Sequence, residues 1–494
     1  MTTLRTRAVQ LGSLRREVLA GTVGTFALIP EVIAFSFVAG VDPEVGLFAS
    51  FVIGIVIAFT GGRPAMISGA AGSVALVAAA LVRGHGLEYL LAATLLAGLI
   101  QIVFGLARLD VLMRFVSRSV RTGFVNALAI LIFSAQLPQI VGPHWQFGPA
   151  FGWQNLLMIA AGLVIIYLAP RVTTAIPSPL ICIVALTVFA ALVPMPLRTV
   201  ADLGRLPASL PHLHWPVLPL TVSTLAIVAP YALAMAVVGL LESMMTASVV
   251  DDLTDTNSSK RRECTGLGLA NVAAGLFGGI AGCGMIGQTV GNVRYGGRGR
   301  VSTFVAGAFL LVLMVLLRPW VARVPVAALV AIMVMVSVST FSWSSLRALL
   351  THPRTSSIVM LATVAVVVAT SDLAIGVVVG VLLSGVFFAF KVMRLMDVSV
   401  AHDPATDTRS YTVRGQVFFA SADMFADLFD LRDTAARVRI DLRQAHLWDI
   451  TAVAALETVV TKMRRHGTIV SVDGLNEASA LMVERHGGFS PVDA

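Results

Sequence analysis

Fourteen apolar stretches follow one another through residues 17–395, each about the length that crosses a bilayer or somewhat shorter. They run over roughly 17–39, 44–61, 65–82, 87–107, 119–141, 153–169, 175–193, 222–248, 264–281, 285–295, 302–318, 325–341, 356–370 and 372–395. About 20 apolar residues in helical form span the hydrocarbon core, where every backbone N–H and C=O must find a partner within the protein. A chain built this way is a polytopic α-helical membrane protein. Only 13% of its residues are charged, against about 25% in soluble domains, which excludes a soluble globular fold.

The net charge of +8 is explained by where the charges lie. Eighteen Lys and Arg, from Arg5 to Arg354, precede the first segment or occupy even-numbered loops. The odd-numbered loops hold five: Arg83, Arg198, Arg205, Arg318 and Arg323. The positive-inside rule then puts both termini in the cytoplasm, and no nucleic-acid partner is needed to account for the basic balance. Cys182, Cys264 and Cys283 lack metal-ligand spacing and read as small buried residues. The acidic run DDLTDTNSSKRRE (251–263) reads as a solvated cytoplasmic loop in preference to a metal site. There is no phosphate-binding Gly-x-x-x-x-Gly-Lys-Ser/Thr motif and no nucleophile–base set, so neither a nucleotide-driven pump nor an enzyme is indicated. The first segment is too long and too interrupted by proline for a cleavable signal peptide.

After Lys391 the composition becomes polar. VSVAHDP, SYTVRGQVFF, VRIDLR and TIVSVDG read as strands, and TAVAALETVVTKMRRHG and EASALMVERHG as helices. This alternation predicts a small cytoplasmic α/β domain over 397–494. The expected organisation is therefore a cytoplasmic segment 1–13, a transmembrane domain 14–396 with halves at about 14–195 and 220–396, and the C-terminal domain.

Two segments are unlike the rest. GGIAGCGMIGQTVGNVRYGGRGR (278–300) is too rich in glycine for a lipid-facing helix. It reads as an extended run to about Met285, then a half-helix starting near Gly287 to Thr289. The third segment, RPAMISGAAGSVALVAAALVR (63–83), predicts the same: a β-like run at Pro64–Ile67, small residues, and a helix starting near Ser73, its candidate N-cap. They are the third segments of two successive sets of seven. Interrupted segments at matching places in two halves point to a transporter's central site. An odd repeat number implies inverted topology, so both half-helix starts would aim their free N–H groups at one anion.

The first segment of each half carries one candidate carboxylate: Glu31, after Pro30, and Glu242, in VVGLLESMM. Ionisable groups in spans are functional candidates, against the plain alternatives of cavity lining or snorkelling. An anion site holding carboxylates needs a cation, H⁺ or Na⁺, so cation-coupled symport is favoured over an uncoupled channel.

At this point the residues resemble the sulfate permease (SulP) family of anion transporters and channels. PEVIAFSFVAGVDPEVGLFAS (30–50) is similar to its first signature, residues 278–300 to its tenth segment, and 398–494 to its STAS domain. The resemblance implies fourteen membrane segments in two inverted seven-segment repeats, split into core and gate domains. It implies a homodimer in the bacterial inner membrane and, where transport occurs, elevator-like motion. It places the anion against Glu31, Phe35, Ala71, Gly72, Ser73, Gly287, Gln288 and Thr289, with Glu242 and Glu31 serving cation coupling. The coupling ion would be H⁺, or Na⁺ near Glu242; no other metal or cofactor is expected. Gln288 stands where many relatives carry Arg, which lowers the fixed positive charge. Bicarbonate, sulfate and carboxylate substrates all remain open. Thr451, in Asp449-Ile450-Thr451, resembles a phosphorylated site of anti-sigma-factor antagonists and is a candidate contact for a regulatory partner; as a plain alternative it caps the following helix.

Overall fold

The computed structural model describes residues 2–486 other than 142–151, 174–175, 194–196, 203, 208–209, 220, 352 and 432–434. The chain divides into two compact units, 1–381 and 382–494.

The first unit runs α1 (Thr2–Ala39), α2 (Pro43–Thr60), β1 (Ser68–Ala70), α3 (Gly72–His85), α4 (Leu87–Leu106), α5 (Arg118–Val141), α6 (Trp153–Val172) and α7 (Ser178–Leu192). It continues with α8 (Val222–Thr254), α9 (Lys260–Leu276), β2 (Gly282–Gly284), α10 (Ile286–Arg294), α11 (Arg300–Ala322), α12 (Val326–Thr340), α13 (Ser344–Thr351), α14 (Arg354–Thr370) and α15 (Leu373–Met393), the last crossing the division between units. Each apolar stretch read from the sequence falls on one of these helices. Among the described residues, nine helices are long and apolar enough to cross a membrane, and α3, α7 and α14 are shorter apolar helices. The eight-residue α13 is an element the apolar pattern does not show.

The helices form two bundles. In one, α1–α4 pack with α8–α11; in the other, α5–α7 pack with α12 and α14. Close crossings occur where neither backbone carries a side chain: α2 meets α11 at Gly54 and Gly307, and α4 meets α9 at Gly98 and Gly268. Small residues let apolar helices approach without a hydrophobic drive from water.

The loops whose contacts are described sort by parity, as the charge pattern predicts. At one end, Arg63 pairs with Asp251 at 3.0 Å, and Arg261 Nε donates to Gly105 O at 3.1 Å. There too Arg262 and Arg300 donate to the last carbonyls of α2 and to that of the following Gly61. At the other end, Arg205 N donates to Asp42 Oδ1, Val200 N to Val324 O, and Val217 N to Glu88 Oε2. Asp251 is thus not part of a merely solvated loop: Arg63 and Lys260 hold it from two sides.

In the second unit β3 (Asp397–Asp403) and β4 (Thr408–Val417) form a hairpin. β4, β5 (Arg437–Leu447) and β6 (Ile469–Asp473) are parallel, giving sheet order β3-β4-β5-β6. Helices α16 (Ala422–Asp427), α17 (Ile450–Arg465) and α18 (Glu477–His486) complete it. Tyr411, Phe425, Ile440, Leu456 and Val460 are buried together in its core. The predicted α/β alternation is present, with α16 added. Asp449, not Thr451, caps α17: its Oδ1 accepts the N–H of Ala452 at 2.9 Å. Thr451 stands exposed in the first turn.

Candidate functional site

The site is built on a two-stranded antiparallel pairing deep in the first bundle. Ser68 faces Gly284, Gly69 faces Cys283, and Ala70 faces Gly282. This register is what a two-fold relation between the halves requires. The predicted run at Pro64–Ile67 is displaced to Ser68–Ala70, because the partner strand, not local propensity, decides where three small residues become a strand.

Three-residue strands leave most of their polar edges unpaired, and the apolar helices around them supply the missing partners. On the β1 side, Ala70 N donates to Ser50 Oγ, Ile67 N to Thr289 Oγ1, and Thr303 Oγ1 donates to Met66 O. On the β2 side, Gly282 N donates to Asn271 Oδ1 and Gly284 N to Ser243 Oγ, while Thr246 Oγ1 donates to Gly284 O. Asn271 is itself bonded to Gln101. Polar residues scattered through otherwise apolar segments thereby satisfy non-helical backbone buried in protein.

From this platform α3 and α10 start. α3 begins at Gly72 with Ala71 in the cap position, and α10 at Ile286 with Met285 there; neither cap makes a side-chain bond. Ser73 is therefore not the N-cap. Its hydroxyl donates instead to Glu242 Oε2, which also accepts from Cys283 Sγ at 3.1 Å. The N–H groups of each first turn have no carbonyl partner in their own helix.

Both starts open on one cavity of about 250 Å³, several times the ~30 Å³ of a water molecule. Glu31, Phe35, Ala71, Gly72, Glu242, Gly287 and Gln288 line it. Phe35 lies so close to Gly72 that a Cβ there would meet its ring at 2.7 Å. Nothing lies within 4 Å of where a Gly287 Cβ would stand, so that backbone faces open space. Gln288 Nε2 is buried beside the Glu31 carboxyl, without a bond of full hydrogen-bond geometry. No Lys, Arg or His is among the lining residues.

Two expected residues fall elsewhere. Ser73 is fully buried behind Glu242. Thr289 is fully buried against the strand platform and bonds both the N–H and the C=O of Ile67. The sequence reading missed the opposite wall: Phe124, Val125 and Leu128 from α5, and Met335, Val336 and Ser339 from α12. An apolar wall facing a cavity carries no signal that separates it from one facing lipid. It also missed Cys283 as a contact of Glu242.

A model of the sulfate permease family matches residues 14–363, and one of the STAS domain matches 400–491. The chain belongs to the sulfate permease family. It is 52% identical over 474 residues to the protein named "Putative sulfate transporter YbaR" of Bacillus subtilis (strain 168), covering 96% of this chain and 97% of that one. It is 28% identical over 366 residues to the bicarbonate transporter BicA of Picosynechococcus sp., covering 69% and 64%. Among solved structures it is similar to the murine solute carrier 26 family member A9 anion transporter in the inward-facing state, with TM-score 0.82, 17% identity and 96% and 87% coverage. It is also similar to the transmembrane domain of a cyanobacterial BicA, with TM-score 0.65, 24% identity and 76% and 97% coverage. The fold is thus that of sulfate-permease anion transporters, with many apolar helices followed by a STAS domain.

Proposed function

We propose that this family member is a secondary active symporter for a small anion. The observation that carries the reading is the shared cavity. Two half-helix N-termini and two carboxylates, Glu31 and Glu242, face it, with no cationic side chain among the lining residues. Backbone N–H groups and the Gln288 amide, which lies beside Glu31, favour the anion. The carboxylates oppose it unless a cation enters as well, and H⁺ is the first choice, with Na⁺ beside Glu242 as the alternative. The cavity lies where the two bundles meet, so sliding of the first bundle with its β1–β2 platform against the second would carry the anion across in an elevator-like step. Sulfate, bicarbonate and small carboxylates all fit the volume; the names of the relatives favour the first two. A bacterial inner-membrane homodimer with both ends in the cytoplasm, and a STAS domain read by a partner through Thr451, complete the proposal. As a transporter it needs no catalytic group.

Uptake into proteoliposomes, with and without inward H⁺ and Na⁺ gradients, tests it. One gradient should drive saturable uptake. Glu242→Gln should abolish the gradient dependence while the protein still elutes as a folded species. Uptake indifferent to both gradients would show an uncoupled channel or exchanger instead.

A further inference from the structure

A second cavity lies in the other bundle, away from the strand platform. It measures about 290 Å³ and sits between the start of α5, the short helix α13 and the start of α14. Its lining is chemically narrow: Arg118, seven Ser or Thr hydroxyls, Ala348 and Met360, and no carboxylate. The floor is closed because α5 and α14 touch at Gly123, where a Cβ would fall 2.8 Å from Met360 O. Among the described residues the Arg118 guanidinium has no hydrogen-bond or ion-pair partner, and neither do the hydroxyls of Ser119, Ser356 and Ser357. One wall is fixed: Asn126 Nδ2 donates to Ser345 Oγ at 2.8 Å and Asn126 Oδ1 accepts from Ser342 N at 2.8 Å.

Thr122, Ser342, Ser344 and Ser345 engage their hydroxyls with neighbouring protein atoms. An unpaired guanidinium beside the three remaining hydroxyls, with no acid in the lining, is a lining for a phosphate-class oxyanion: several donors and one fixed positive charge. The outer side of α13 says where that oxyanion comes from. Ser345 and Ala348 face the cavity, whereas Trp343, Leu346 and Leu350 are 59%, 48% and 90% exposed on the opposite face. Arg347 and Arg354 are exposed beside them. An amphipathic turn with Trp and Leu outward and Arg at its rim lies in the headgroup layer of a bilayer. At that depth the abundant oxyanion is a phospholipid phosphate.

We propose that this cavity binds the phosphate of an anionic phospholipid, with Arg118 as the charged contact and Ser119, Ser356 and Ser357 as hydroxyl donors. Bound there, the lipid bridges α5, α13 and α14 and steadies one end of the second bundle. This does not depend on which anion is transported or on what it is coupled to.

Native mass spectrometry of the full chain in detergent tests it, with phosphatidylglycerol, phosphatidylcholine or inorganic phosphate added to separate samples. The wild type should retain phosphatidylglycerol over phosphatidylcholine. Arg118→Gln should weaken that retention about tenfold, the loss expected for one charge-assisted contact. Arg121→Gln, an exposed neighbour outside the cavity, should leave it unchanged. Should Arg118→Gln not fold, the double variant Ser356→Ala/Ser357→Ala decides, and it too should weaken retention. Binding of inorganic phosphate that both variants weaken, with no preference between the lipids, would uphold the oxyanion cavity and assign it to a soluble ion. Equal retention of phosphatidylglycerol by wild type and both variants, with no phosphate binding, would overturn it.

Discussion

Gln288 and Thr289 are neighbours in the first turn of α10, yet they have opposite jobs. A step of one residue turns about 100° around a helix. That turn sends Gln288 to the cavity beside Glu31 and Thr289 into the platform with its hydroxyl bonded to Ile67. The sequence could name the turn but not its rotation, so both residues were candidates for the anion. Removing the Thr289 hydroxyl leaves the buried Ile67 N–H without an acceptor. Thr289→Val should therefore cost about 1–3 kcal/mol of stability, seen as a lower unfolding temperature in detergent, whichever anion is present. Gln288→Ala should keep the wild-type unfolding temperature and raise the half-saturation concentration for uptake. If the two variants exchange these effects, the assignment is wrong. Glu242 was legible because a carboxylate in a span is rare. Its thiol partner Cys283 was not, because a cysteine in an apolar run reads as a small buried residue.

The half-helices were legible as elements because glycine density marks them, but their exact starts were not. Local propensity gives no reason to prefer Ser68–Ala70 over Pro64–Ile67; the pairing with Gly282–Gly284 supplies it. That pairing needs Gly282 in particular. A Cβ there would fall 2.1 Å from Gly69 O and 2.6 Å from its carbonyl carbon, both backbone atoms that cannot step aside. Gly282→Ala should separate β1 from β2 at a cost of about 3 kcal/mol or more, with loss of folded protein on size-exclusion chromatography. Gly287→Ala, which meets nothing within 4 Å, should fold normally and weaken the anion by filling space in front of the helix start. A normally folded Gly282→Ala would show that the strand pairing does not hold the site together. The helix α13 escaped the sequence reading for a different reason. Eight residues with one polar and one apolar face are too short and too mixed to register among apolar runs that are all longer.

The division into two bundles was available at the whole-molecule scale only through family resemblance. Apolar residues that face a neighbouring helix and those that face lipid are the same types, so hydropathy counts segments without saying which ones pack together. Sidedness is the exception, because charge records it. The residues assigned to even loops meet at one end of the unit through Arg63, Arg261, Arg262 and Arg300, and the odd loops meet at the other through Asp42, Glu88, Arg205 and Val324. Which end faces the cytoplasm rests on the excess of Lys and Arg, and it can be read directly. The native cysteines Cys182, Cys264 and Cys283 are all buried and outside any disulfide, so a maleimide that cannot cross membranes should find little background. Leu213, 70% exposed, lies in the loop between α7 and α8, and exposed Asp252 lies at the opposite end near the close of α8. In spheroplasts Leu213→Cys should label and Asp252→Cys should not; in inside-out vesicles the pattern should reverse. Because the contacts above tie even loops of both halves to one end and odd loops of both halves to the other, the reversed result in both preparations would invert the whole unit rather than move a single segment. The Arg-rich end, with Arg118 and the second cavity, would then face outward, against the charge rule that predicts its side.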